Sequence, residues 1–180
     1  MSMVIFDSTF ALVMWMPGVR ASVSQAKERV EHLINELHKQ NNKIIIPTPV
    51  ISEVLVHAGK AGPQYLQEIT KSAKFKVAPF DARAAVEAAA MLGVAVKTGK
   101  KKGSSGKGTW PKTKFDHQIV AIGKVEGADT IYTDDEDLGK LAAKMGMKVV
   151  TLADLPLPPS NTPLFDSLPE EGEHATSEKP

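Results

Sequence analysis

Cysteine is absent from the 180 residues. That excludes a disulfide framework, a thiolate metal site and a cysteine nucleophile, and it suits a reducing cytoplasm, the expected location. Long hydrophobic runs are also missing. Even the alanine-rich stretch 84–96 is interrupted by Glu87, so no segment is expected to span a bilayer. The opening residues Met-Ser-Met-Val-Ile-Phe-Asp carry no basic segment ahead of their apolar run, and Asp7 interrupts it. A signal peptide is therefore not expected there. Net charge is nearly absent as well, at +1, but the balance conceals an asymmetry. Residues 156–180 hold Asp166, Glu170, Glu171, Glu173 and Glu178 against Lys179 alone, a net of −4, which leaves the body near +5. A basic body points to an anionic partner.

What is present reads as one domain of alternating short strands and helices. The β-branched or apolar runs Met3–Phe6, Lys43–Ile46, Phe75–Ala78, Thr130–Thr133 and Lys148–Thr151 predict strands. Helices are expected over Phe10–Met16, Ser22–Gln40, Pro49–Ala58, from Gly62-Pro63 to about Ser72, and over Asp81–Val96, Phe115–Glu126 and Leu138–Met145. Thr48-Pro49 is a strong helix start, an N-cap type followed by proline in the first turn. This alternation predicts an α/β domain with a mostly parallel sheet. Residues 97–114 break the pattern. They hold seven lysines, several glycines and no acid, and so predict a flexible basic insertion with Trp110 as a stacking face for a nucleic acid. Residues 1–155 form the expected domain, and 156–180, rich in proline, acids and hydroxyls, an expected disordered acidic tail.

The stretch Asp129–Leu138 organises the chain. A strand runs into a helix there, with Asp134, Asp135, Glu136 and Asp137 at the joint. In an open parallel sheet that joint lies at the carboxyl ends of the strands, where such folds bind ligands. Asp7 follows the first strand, Glu53 borders the apolar face of its helix, and Asp116 falls in the first turn of the helix expected from Phe115. Each acid also has a plain reading: a turn or cap for Asp7, a half-exposed helix position for Glu53, a dipole partner for Asp116, a capped first turn for the others. Joint placement favours a site. If the first and fourth strands are neighbours, Asp7 meets the Asp134/Asp135 pair. No balancing Lys or Arg is expected on those elements, so a divalent cation would relieve the crowding.

In this order the acids resemble the PIN-domain family, the nuclease fold of VapC-type toxins of toxin–antitoxin pairs. The resemblance covers roughly residues 3–155. It is carried by Val4-Ile5-Phe6-Asp7-Ser8-Thr9, Thr48-Pro49-Val50-Ile51-Ser52-Glu53, Lys114-Phe115-Asp116-His117-Gln118-Ile119-Val120-Ala121 and Ile131-Tyr132-Thr133-Asp134-Asp135-Glu136-Asp137-Leu138. It implies a three-layer α/β/α fold and a metal-dependent endoribonuclease, with Asp7, Glu53, Asp116 and Asp135 as catalytic acids. The implied cofactor is Mg²⁺ or Mn²⁺, held by Asp7, Glu53, Asp116 and Asp135, with Asp134 a further candidate ligand and both Asp134 and Asp137 ambiguous neighbours of the fourth position. Hard oxygen ligands select these ions over Zn²⁺. The expected partners are an RNA substrate and an antitoxin protein, with a homodimer as a candidate assembly and no membrane. The rival expectation is a non-catalytic PIN-like module that binds nucleic acid or protein. Ser8 and Thr9 are read as cap residues before water-orienting ones, and His57 and His117 as solvated or packed side chains.

Overall fold

Short strands bounded by breakers, each followed by a capped helix, leave few ways to bury both faces of a sheet. The computed structural model, which describes residues 2–16, 18–97 and 109–159, adopts the parallel one. Strands β1 (Met3–Phe6), β2 (Lys43–Pro47), β3 (Phe75–Ala78), β4 (Thr130–Tyr132) and β5 (Lys148–Val150) form one sheet in the order β3-β2-β1-β4-β5. Every pairing is parallel, so the sheet is fully rather than mostly parallel. Helices α1 (Ser8–Trp15), α2 (Ala26–Lys39), α3 (Thr48–Ala58) and α4 (Gly62–Lys71) come with the β1-to-β2 and β2-to-β3 crossovers. Helices α5 (Ala82–Lys97), α6 (Trp110–Val125) and α7 (Glu136–Lys144) come with the crossovers on the far side of β1. Right-handed crossovers put the two groups on opposite faces, which makes the three layers. α1 packs on α2 and α3, and α6 on α5 and α7.

Strand order reverses direction between β1 and β4, whose residues Val4, Ile5 and Phe6 pair with Thr130, Ile131 and Tyr132. That reversal leaves a crevice at the carboxyl ends of the two central strands. An aromatic cluster lies at these strand ends. Phe6 closes β1, Tyr132 closes β4, and Phe10 enters from α1, with ring centroids 5.3 to 5.6 Å apart. Edge-on and tilted contacts of this kind add roughly 0.5–1.5 kcal/mol each beyond burial. They clamp the chain where it leaves both strands. On the other face α6 lies close against β1. A Cβ at Gly123 would come within 1.9 Å of Ile5 Cδ1, so only glycine permits this approach without displacement.

α1 begins at Ser8 and α7 at Glu136, each two residues ahead of expectation because Asp7 and Asp135 are their caps, and three other helix starts differ too. α2 begins at Ala26, because Gln25 takes a left-handed conformation, φ 52°. Pro47 rather than Thr48 stands at the N-cap of α3, and the Thr48 hydroxyl instead accepts from Phe80 N–H at 3.1 Å. α6 begins at Trp110, not Phe115, with the Thr109 hydroxyl accepting from Lys112 N–H and Pro111 in the first turn. Lys97 and residues 109–114, expected in the basic insertion, are therefore helical or capping. Residues 98–108 and the tail from residue 160 lie outside the described residues. Among the described residues no helix is long and apolar enough to cross a membrane.

Candidate active site

Four acids reach one cleft from four elements. The cleft has a volume of about 310 Å³ and is lined by Asp7, Ser8, Thr9, Glu53, Lys112, Phe115, Asp116, Ile119, Asp135 and Leu138. Asp7 is the residue at which β1 becomes α1. Its N–H still bonds Tyr132 O at 3.2 Å in the β1–β4 ladder, while its Oδ1 caps α1 by accepting from Phe10 N–H at 3.0 Å. The cap is thus Asp7 itself, and Ser8 and Thr9 are left to line the cleft. Its Oδ2 accepts from the Thr133 hydroxyl. Asp7 is only 2% exposed. Burial pushes its carboxyl up to about 7, against the Thr133 hydroxyl and the N–H groups of Phe10 and Thr9, and the nearby Asp134 adds to the rise.

Thr133 joins the two strand ends. Its hydroxyl donates to Asp7 and accepts from Asp135 N–H at 2.9 Å, which shapes the β4–α7 turn in the manner of a hydroxyl turn. Asp135 then caps α7, with Oδ1 accepting from Asp137 and Leu138 N–H, each at 3.0 Å. Its Oδ2 faces the cleft. Burial alone would raise this carboxyl, but Lys112 and the two helix N–H groups outweigh it and hold it below the ordinary value.

Asp116 lies in the second turn of α6, not the first, because the helix starts earlier than expected. It is 9% exposed. Burial raises it to about 6, opposed by Lys112 and assisted by Asp135 and Asp137. Glu53, half-buried on α3, makes no hydrogen bond or ion pair among the described residues.

Lys112 overturns the expectation that no cation balances these acids. One turn ahead of Asp116 on α6, its Nζ stands 3.1 Å from Asp116 Oδ2 and 2.8 Å from Asp135 Oδ2. Burial lowers its pKa, yet the two carboxylates prevail and the net shift is upward. Among the described residues no three His, Cys, Asp or Glu side chains gather closely enough to hold a metal ion. The donor chemistry nonetheless fits a hard divalent cation. It consists of carboxylate oxygens with two hydroxyls, and the cleft already draws an ammonium between two of its acids.

Asp134 is not brought into the cleft. Its Oδ2 accepts from the Ser22 hydroxyl at 2.8 Å and its Oδ1 from Leu152 N–H at 2.7 Å, so it ties the segments before α2 and after β5. Asp137 is half-buried beside Asp116 and outside the lining. His57 is exposed. His117 is buried, with Nδ1 2.6 Å from the Thr113 carbonyl, and burial lowers its pKa. Both histidines keep the solvated and packed roles expected for them. Lys112 and Thr133 are the site residues missed from sequence. The signal for the first was Thr109-Trp110-Pro111, a cap type and a first-turn proline like those used to place α3.

Solved structures share this architecture. Over 83% of this chain and 98% of the other, it is similar to a chain of VapBC2 from Rickettsia felis bound to a DNA fragment from their promoter, at 13% identity and a TM-score of 0.57. A chain of DNA-bound VapBC from Salmonella typhimurium matches over 84% and 99% of the two chains, at 14% identity and a TM-score of 0.55. Mycobacterium tuberculosis VapC20, a Sarcin-Ricin loop cleaving toxin, matches over 76% and 93%, at 12% identity and a TM-score of 0.51. At such identities the likeness is one of fold, and the fold is the PIN-domain α/β/α fold of VapC-type proteins. No protein-family model and no curated protein matches the sequence.

Proposed function

We propose that this chain is a divalent-metal-dependent endoribonuclease, the toxin of a toxin–antitoxin pair. The observation that carries the reading is the convergence of Asp7, Glu53, Asp116 and Asp135, from four elements, on one cleft at the switch point of a parallel sheet. These four would hold Mg²⁺ or Mn²⁺. Asp134, whose oxygens are engaged by Ser22 and Leu152, supports the turn from outside. The chemistry a bound ion supplies is polarisation of the phosphodiester, a lowered pKa for an attacking water and charge stabilisation at the leaving oxygen.

The remaining work falls to the chain itself. Asp7 is still partly protonated near neutrality, and Asp116 ionises at a higher pH than an ordinary carboxyl, because burial disfavours their charged forms; both give up protons more readily as positive charge enters. Loading is accordingly favoured by rising pH. Ser8 and Thr9 place hydroxyls on the wall beside Asp7 to orient water. Phe115, Ile119 and Leu138 close the apolar side. Trp110, with Lys114 Nζ 6.0 Å from its ring centroid, offers a base-stacking face.

An antitoxin partner is supported by the VapBC complexes among the similar structures. A gene for a small DNA-binding protein directly upstream would identify it. We place the protein in the cytoplasm, with a homodimer to be read by light scattering. The rival reading, a module that binds without cutting, draws on the ion pairs by which Lys112 already neutralises Asp116 and Asp135.

One assay separates the two. Purified protein is incubated with single-stranded RNA in Mg²⁺, in Mn²⁺ and in EDTA. Cleavage should require the ion, nearly vanish in Asp7→Asn and Asp116→Asn, and survive in Asp81→Asn and Asp154→Asn. Asp81 and Asp154 cap a helix and a turn away from the cleft. RNA binding without cleavage under every condition would favour the module.

A further inference from the structure

We infer that Lys112 is a tethered cation that holds the divalent-ion position between Asp116 and Asp135 and has to withdraw before the cleft can load. The inference rests on the metal-dependent reading above and adds to it a device belonging to this chain.

The geometry is that of a stand-in ion. Nζ bridges two carboxylates on different elements, 3.1 Å from Asp116 on α6 and 2.8 Å from Asp135 at the start of α7. The other two acids are in different states. Asp7 is held by the Thr133 hydroxyl and Phe10 N–H, and Glu53 has no partner among the described residues. With the ammonium in place, two of the four acids face it rather than a shared ion.

Three features make the contact reversible. The Lys112 side chain is 40% exposed, so a path to solvent is open. Lysine is a compact, strongly hydrated charge on a flexible four-carbon stem, without the planar fork that locks arginine onto carboxylates. Its backbone is fixed by the first turn of α6, where the Thr109 hydroxyl accepts from the Lys112 N–H and Pro111 presets the turn. The anchor stays within one helical turn of Asp116 while the charge swings. The cleft thus has a closed state neutralised by its own lysine and an open state ready for a divalent ion. Apparent ion affinity is the intrinsic affinity reduced by the open fraction.

The test is calorimetric titration of Mn²⁺ into the EDTA-stripped, dialysed full chain, comparing wild type with Lys112→Met, Lys112→Gln and Lys112→Arg. An open state populated about one part in ten would make Mn²⁺ binding roughly tenfold tighter in Lys112→Met and Lys112→Gln. Lys112→Arg, which keeps the charge, should bind no more tightly than wild type. Thermal melts provide an independent readout. Without metal the Met and Gln variants should melt lower, since Asp116 and Asp135 then repel unscreened, and Mn²⁺ should raise them by more than it raises wild type. Adding Asp116→Asn should abolish the gain. Equal affinity in wild type and both neutral variants would overturn the inference while leaving the metal-dependent reading intact, as would loss of binding in those variants when they melt cooperatively. Failure of every form, wild type included, to bind Mn²⁺ would overturn both.

Discussion

Replacing Asp7 with asparagine removes a proton-binding site from the interior, and its effect on stability has a calculable sign. The Asp7 carboxyl is 2% exposed and its pKa rises from 3.8 to about 7 on folding. Between those values the folded chain keeps a proton that the unfolded chain has released. The stabilisation is therefore complete below the unfolded pKa and is lost as pH climbs through the folded one, because ν_U is smaller than ν_N across the window. Each pH step of one between the two values is worth about 1.36 kcal/mol, so the full loss is roughly 4 kcal/mol. Asparagine has no proton to surrender, so this slope disappears. It can still cap α1 at Phe10 N–H. Its amide, however, meets a Thr133 hydroxyl that already accepts from Asp135 N–H, at a cost of about 1 kcal/mol. Asp7→Asn should then be less stable than wild type near about pH 3 and more stable near about pH 8, the two curves crossing near about pH 4.5. Urea unfolding followed by circular dichroism in EDTA, repeated across that range, measures the difference directly. Parallel curves, or a wild type that gains on the variant as pH rises, would refute the account of a buried, proton-holding Asp7.

The turn after β4 separates two adjacent acids. Asp134→Ala should lower stability by about 1–3 kcal/mol, through the Ser22 and Leu152 bonds it abandons, and keep Mn²⁺ binding; Asp135→Asn should keep most of the stability and lose Mn²⁺ binding by calorimetry. The expected order of importance for cleavage is Asp135, then Asp134, then Asp137, and activity assays on single Asn variants read it. Ending the chain at Pro159 should leave Tm nearly unchanged. Leu155, 4% exposed, and its carbonyl contact with Arg29 both remain, and a large drop would show that the tail from residue 160 docks on the domain.

Much of the fold was legible because its signals are local. Lys43–Ile46 is β-branched and stopped by proline, and Asp81 and Asp135 announce helices by capping them within three residues. The same kind of signal at Thr109-Trp110-Pro111 was obscured by the lysines and glycines around it. The consequence of missing it was functional: a helix begun at Phe115 leaves Lys112 in a loop, whereas one begun at Trp110 brings it to Asp116 at i, i+4. The acids themselves were visible as residue types following strands.

By itself the sequence determined the residue types, the alternation of elements and the acids available at the strand ends, since propensity, capping and periodicity act over a few neighbours. Strand order did not lie within that range. That β1 sits beside β4, and so brings Asp7 to Thr133 across 126 positions, depends on how the whole sheet buries both faces. The family resemblance put Asp135 ahead of Asp134, but propensity and periodicity do not separate two adjacent, chemically identical side chains. Tertiary structure turned Asp134 toward Ser22 and Leu152, and Asp135 toward Lys112 and the cleft. Each choice was made by partners that are distant in sequence and become neighbours only when the core closes.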